Sequence, residues 1–134
     1  MPFVQVDLRA GKPADYRSAL SAAVHRAIVE TLEVPERDRF QIVMEHEAGG
    51  FVYDPGYLDV SRSDDLVFVR VTLSKGRSAA TKQRFYARLA ELVAERPGLR
   101  REDLFVTLIE NAREDWSFGN GEAQYLTLPR ERWR

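Results

Sequence analysis

Hydrophobic residues alternate with polar ones at the start of the chain. Val4, Val6 and Leu8 are separated by Gln5 and Asp7, the two-residue period of a strand with one buried face. The same alternation returns at Val67, Val69, Val71 and Leu73. After each run the period changes. Leu20, Val24, Ala27 and Ile28 stand at i, i+4, i+7 and i+8, and Phe85, Leu89, Leu92 and Val93 repeat that stripe. Each stripe predicts a helix with one apolar face. Pro35 and the Pro97-Gly98 pair break the chain after the helices. Returning strands are expected over residues 40–45 and 104–110. A strand, a helix and a strand joined this way pair in parallel through a right-handed crossover.

The two halves are copies. An offset of 65 positions brings Phe3, Val4, Val6 and Leu8 onto Phe68, Val69, Val71 and Leu73 without a gap. Gly11 then falls on Gly76, Asp38 on Asp103, Phe40 on Phe105 and Glu45 on Glu110. A duplicated β-α-β unit therefore builds one domain. Its first unit spans about residues 2–46 and its second about 66–111. Residues 47–65 form a connecting loop or hairpin, and 112–134 a C-terminal loop and tail that pairs with a neighbour or frays. The fold class is α/β (α+β), a four-stranded, mainly parallel or mixed sheet with two helices on one face. The other face carries Phe3, Phe40, Ile42, Met44 and Phe68, and a symmetric oligomer is the economical cover for it.

Composition narrows the function classes. With a net charge of −1 and no basic stripe, the chain lacks the footprint of a nucleic-acid or anionic-membrane binder. The absence of cysteine removes disulfides, thiol chemistry and thiolate metal sites. His25 and His46 have no partner at ligand spacing, so no metal site is expected. The glycines do not form a phosphate loop. Neither a signal peptide nor an apolar run of membrane length is present, which makes a cytoplasmic location the expectation.

The start Met1-Pro2-Phe3-Val4, leading directly into a strand of a duplicated β-α-β plan, resembles the tautomerase superfamily. Within it the chain is most similar to the malonate semialdehyde decarboxylase-like family. The matching stretches are Val34-Pro35-Glu36-Arg37-Asp38-Arg39-Phe40-Gln41, Ser74-Lys75-Gly76-Arg77-Ser78, and Glu110-Asn111 followed by Asp115-Trp116-Ser117-Phe118-Gly119-Asn120-Gly121. The resemblance implies that Met1 is removed and that the Pro2 secondary amine is catalytic. It also implies a homotrimer, no cofactor, and a small oxo acid as substrate. Asp38 and Arg77 occupy the family's catalytic positions. Lys75 stands where the family has a first arginine, and Gly76 where it has proline. Lysine keeps the charge but loses the two-pronged grip on a carboxylate.

These residue types suit a decarboxylase. A protonated Pro2 donates to the carbonyl oxygen that receives the electrons, or condenses with the carbonyl to an iminium. Lys75 and Arg77 hold the carboxylate, with Trp116 and Phe118 as an apolar wall. Asp38 close to the amine would raise its pKa and favour the acid form. The same groups serve a tautomerase or hydratase equally well, and a binding protein with an inert Pro2 is the reading from another class. Asp38 aligns with Asp103, which admits a structural turn role shared by both halves, and Arg77 aligns with Lys12, an ordinary cation after a strand.

Overall fold

The computed structural model describes all residues from 1 to 134. Strands β1 (Phe3–Arg9), β2 (Phe40–His46), β3 (Val67–Ser74) and β4 (Leu104–Asn111) form one sheet in the order β2-β1-β3-β4. Helices α1 (Ala14–Leu32) and α2 (Ala79–Glu95) are the two crossovers. Pairing is parallel within each unit, β1 with β2 and β3 with β4. The units join through an antiparallel β1–β3 pair with Val6 opposite Val69 and Val4 opposite Val71. Two copies of one unit thus meet about a local two-fold axis at the centre of the sheet.

The period-2 residues point where the alternation places them. Val4, Val6, Leu8, Val67, Val69, Val71 and Leu73 are all buried and pack against Leu20, Val24, Ala27 and Ile28 of α1 and Phe85, Leu89 and Val93 of α2. Each such side chain contributes about 1.5–3 kcal/mol on leaving water. Leu92 sits at the edge of this core rather than inside it.

The opposite face is half open. Phe40, Ile42, Met44, Phe105 and Ile109 remain exposed on it. The connecting segment is no hairpin; it runs through two short 3-10 turns, Ala48–Gly50 and Tyr57–Asp59. It places Phe51 against Phe68 at 5.1 Å between ring centroids, and Phe51 is buried. Part of the expected cover therefore comes from this chain, because an aromatic in the loop has an aromatic sheet to lie on. The tail does not fray. A short helix α3 (Gln124–Thr127) and a last 3-10 turn (Arg130–Trp133) fold back onto the domain, with Tyr125 against Trp133 at 4.8 Å.

Candidate active site

Register brings the N-terminus to Asp38. Phe3 pairs with Phe40, so the residue before Pro2 lies beside the residue two positions ahead of β2. Between α1 and β2 the chain turns sharply. Glu33 takes a left-handed conformation at φ 54° to end the helix, and the Asp38 amide donates to the Pro35 carbonyl at 3.0 Å. His25, buried on α1, holds the Glu36 carbonyl through Nε2 at 2.9 Å and so fixes this turn from below. The terminal ammonium, here that of Met1, donates to the Asp38 carboxylate. Pro2 behind it is buried.

The duplication explains why Asp38 is available. Its counterpart Asp103 is fully buried and accepts from the Ser63 amide and hydroxyl, both at 2.7 Å. Both aspartates therefore hold the chain as it enters a first strand. In the second unit that chain is a continuous peptide; in the first it is a free end.

Arg77 reaches the same place from β3. Gly76, at φ 128°, supplies the backbone reversal that a side chain would strain. Arg77 then folds onto the end of α1, donating to the Leu32 carbonyl from Nε at 3.1 Å and Nη2 at 2.9 Å, and to the Ser74 carbonyl from Nη1 at 3.0 Å. Helix α1 has no basic residue in its last turn, so Arg77 supplies the cation that its carbonyl end favours. Burial lowers the Arg77 pKa, but a guanidinium stays charged.

Met1, Asp38 and Arg77 line one cleft of about 270 Å³ together with Arg113, Tyr125 and Trp133. Burial pushes the terminal ammonium below its ordinary pKa; the hydrogen bond and charge of Asp38 pull upward, and Arg77 pushes down. The amine at this position and Asp38 do meet, and on the Met1 ammonium desolvation outweighs the pull of the carboxylate. Tyr125 shifts the other way. Burial and the Asp38 charge hold its phenol well above the usual range, so it is a neutral hydroxyl at the cleft.

The sequence-predicted residues divide. Asp38 and Arg77 line this cleft, while Pro2 lies buried behind the Met1 that lines it. Lys75 does not line it; its exposed side chain lies in an adjoining cleft that shares Arg77. Trp116 and Phe118 stack at 5.5 Å and connect to the cleft through Tyr125, whose ring Phe118 meets edge-on at 4.9 Å. The Trp116 indole donates to Asn111 Oδ1 at 2.7 Å. Sequence reasoning missed Tyr125, Arg113 and Trp133. Arg113 lies over the Trp133 ring at 5.1 Å and Tyr125 meets the same ring edge-on at 4.8 Å, contacts that anchor the tail. The one available signal was the density of aromatic and arginine residues after Glu110. A larger groove of about 570 Å³ between α1 and α2 is lined by Asp15, Ser18, Arg26, Glu95 and Arg96 along with Ala19, Ala22 and Leu92, and contains none of the sequence-predicted site residues.

Comparison with known proteins agrees with this geometry. Two family models, both described as tautomerase enzyme, match residues 38–119 and 2–59. A probable tautomerase of Bacillus subtilis, YusQ, is 41% identical over 126 residues, 94% of this chain and 99% of that protein. A second probable tautomerase from the same organism, YrdN, is 40% identical over 95% of this chain and 98% of its own length. Among solved structures, FG41 malonate semialdehyde decarboxylase inhibited by 3-bromopropiolate superimposes with a TM-score of 0.88 at 39% identity, over 93% of this chain and 95% of that one.

Proposed function

This chain belongs to the tautomerase superfamily of enzymes, and from that premise we propose that it decarboxylates a small 3-oxo acid of the malonate semialdehyde type. The observation that carries this reading is the free chain end held between Asp38 and Arg77 in a cleft rich in arginine. Removal of Met1 transfers that end to Pro2. The substrate carboxylate then lies against Arg77 and Arg113, and its carbonyl oxygen faces the Pro2 ammonium. The bond between the carboxylate carbon and the α carbon breaks, CO2 leaves, and the electron pair moves into the carbonyl. The ammonium protonates the developing enolate oxygen, and the enol ketonises with a proton from water. The amine recovers its proton from solvent, so the sum is oxo acid anion plus one proton to aldehyde and CO2. Tyr125 is an additional neutral donor beside the same oxygen. The likeness to FG41 malonate semialdehyde decarboxylase supports the substrate class.

A second reading, tautomerase or hydratase, has its own support. Burial lowers the pKa of the ammonium at this position, the direction that suits a base, and both curated relatives are described as probable tautomerases. Initial rates on malonate semialdehyde, followed as CO2, and on a 2-hydroxydienoate, followed as ketonisation, separate the two. The decarboxylase reading expects the larger kcat/KM for CO2 release; the reverse order assigns the tautomerase.

Asp38 sets the pH profile in this mechanism. Its charge raises the affinity of the amine for a proton, so Asp38→Asn lets that proton go at lower pH. The alkaline limb of kcat/KM is expected to move to lower pH, measured between pH 5 and 9 on the scale where such groups titrate. An unmoved limb would show that Asp38 serves only the turn. The apolar face of Ile42, Met44, Phe105 and Ile109 supports assembly with further copies of the chain, and the homotrimer is the order that the family resemblance implies.

A further inference from the structure

Beside the amine's cleft lies a second, of about 540 Å³, and the two share Glu33, Arg77 and Arg113 as a common wall. Beyond that wall the second cleft is lined by Lys75, Ser78, Thr81 and Arg84. Its character is cationic. Lys75, Arg77, Arg84 and Arg113 face one acid, Glu33, and none of the four cations is ion-paired.

The neighbouring cations make the contrast. On the same helix Lys82 is locked to Glu110 at 2.6 Å, and Arg88 to Glu30 at 2.6 Å and Glu91 at 3.0 Å. Arg84, between them, reaches only the Thr81 hydroxyl, at 3.2 Å. Like charges gathered in excess of their counterions repel one another, and an anion relieves that cost. Apart from Leu32 the lining is polar, which disfavours an apolar ligand. The start of α2 adds to the effect: Ser78 caps it through the Thr81 amide at 3.1 Å, and its first turn carries no acid.

We infer that this cleft is a distal subsite for a second anionic group, carboxylate or phosphate, on the oxo acid whose reacting end meets the Pro2 amine. The inference rests on the oxo-acid reading and extends its substrate class to dianionic molecules. Malonate semialdehyde fills only the reacting end. A longer 3-oxo diacid fills both clefts, with Arg77 and Arg113 between its two charges and Arg84 and Lys75 at the far one.

The test compares 3-oxoadipate with 3-oxohexanoate, acids of equal length that differ in the distal carboxylate. In both the bond to the carboxylate nearest the ketone breaks and CO2 leaves, while the distal group is unchanged. The native protein is expected to favour the diacid in kcat/KM by at least about tenfold, the scale of one charge-assisted contact. Arg84→Ala should bring that ratio near one while leaving the rate on the monoacid unaltered, and Arg84→Lys should restore part of it. A native ratio near one, or a ratio that Arg84→Ala does not move, overturns the subsite.

If neither acid is turned over, the decarboxylase reading is judged on malonate semialdehyde separately, and the subsite is read from equilibrium binding. Calorimetric titration with adipate and with inorganic phosphate should then show binding that weakens at least about tenfold in Arg84→Ala. Tighter adipate assigns a carboxylate and tighter phosphate a phosphoryl group. Equal affinities in the native and variant proteins overturn the inference.

Discussion

Protein that keeps Met1 will turn over substrate at least about a thousandfold more slowly than protein that begins at Pro2, within the range that general acid catalysis supplies. Two effects act together. A proline nitrogen inside a peptide bond carries no hydrogen and has its lone pair delocalised, so it neither donates a proton nor condenses with a carbonyl. Methionine also takes the space. Its ammonium occupies Asp38, its sulfur accepts from the Ser74 hydroxyl at 2.9 Å, and its residue forms part of the cleft wall. Initial rates on two samples of verified mass check this, the extended one made with a residue at the second position that blocks methionine removal ahead of a retained proline. Equal rates would place the chemistry elsewhere.

The second large effect is expected at Arg77, and it is double. Arg77→Ala leaves the Leu32 and Ser74 carbonyls without their donors, at about 1–3 kcal/mol for each buried group left unpaired. It also removes the cation at the end of α1, worth about 0.3–1 kcal/mol at a helix terminus. Part of the site is open to solvent, so the lower ends apply, and a stability loss of about 2–3 kcal/mol is expected in chemical denaturation. Turnover should fall by at least about a hundredfold, as one lost oxyanion or carboxylate donor does in other enzymes. Arg77→Lys separates the two roles, because it retains charge but not the fork that spans both carbonyls. A destabilised Arg77→Ala with native kcat/KM would reduce Arg77 to a helix cap.

Most of the framework was legible because it repeats. Alternation at Val4 to Leu8 and at Val67 to Leu73 gave the strands, and the two stripes gave the helices, each copy supporting the other. Residues 47–65 and 112–134 were not legible, since they lack periodicity. Phe51 lies on Phe68 and Phe118 near Phe40 through aromatic contacts between distant segments, which no local pattern encodes. Tyr125 and Arg113 reach the cleft by way of that fold-back and were therefore missed. Asp38 was named through the family resemblance, while its counterpart Asp103 pointed to a turn role; the structure shows the same position holding the entering chain in both halves. The balance between burial and Asp38 at the amine was not legible from sequence, because burial is a property of the assembled cleft.

The proton-donating Pro2 amine is the centre of this account, and its most direct test is CO2 release from malonate semialdehyde. The native sample is first shown by mass to begin at Pro2, and a Pro2→Ala sample, equally processed, is run beside it. Release far above the spontaneous rate, reduced at least about a hundredfold in Pro2→Ala, is the predicted result. No release from correctly processed protein, or equal release from both samples, would contradict it.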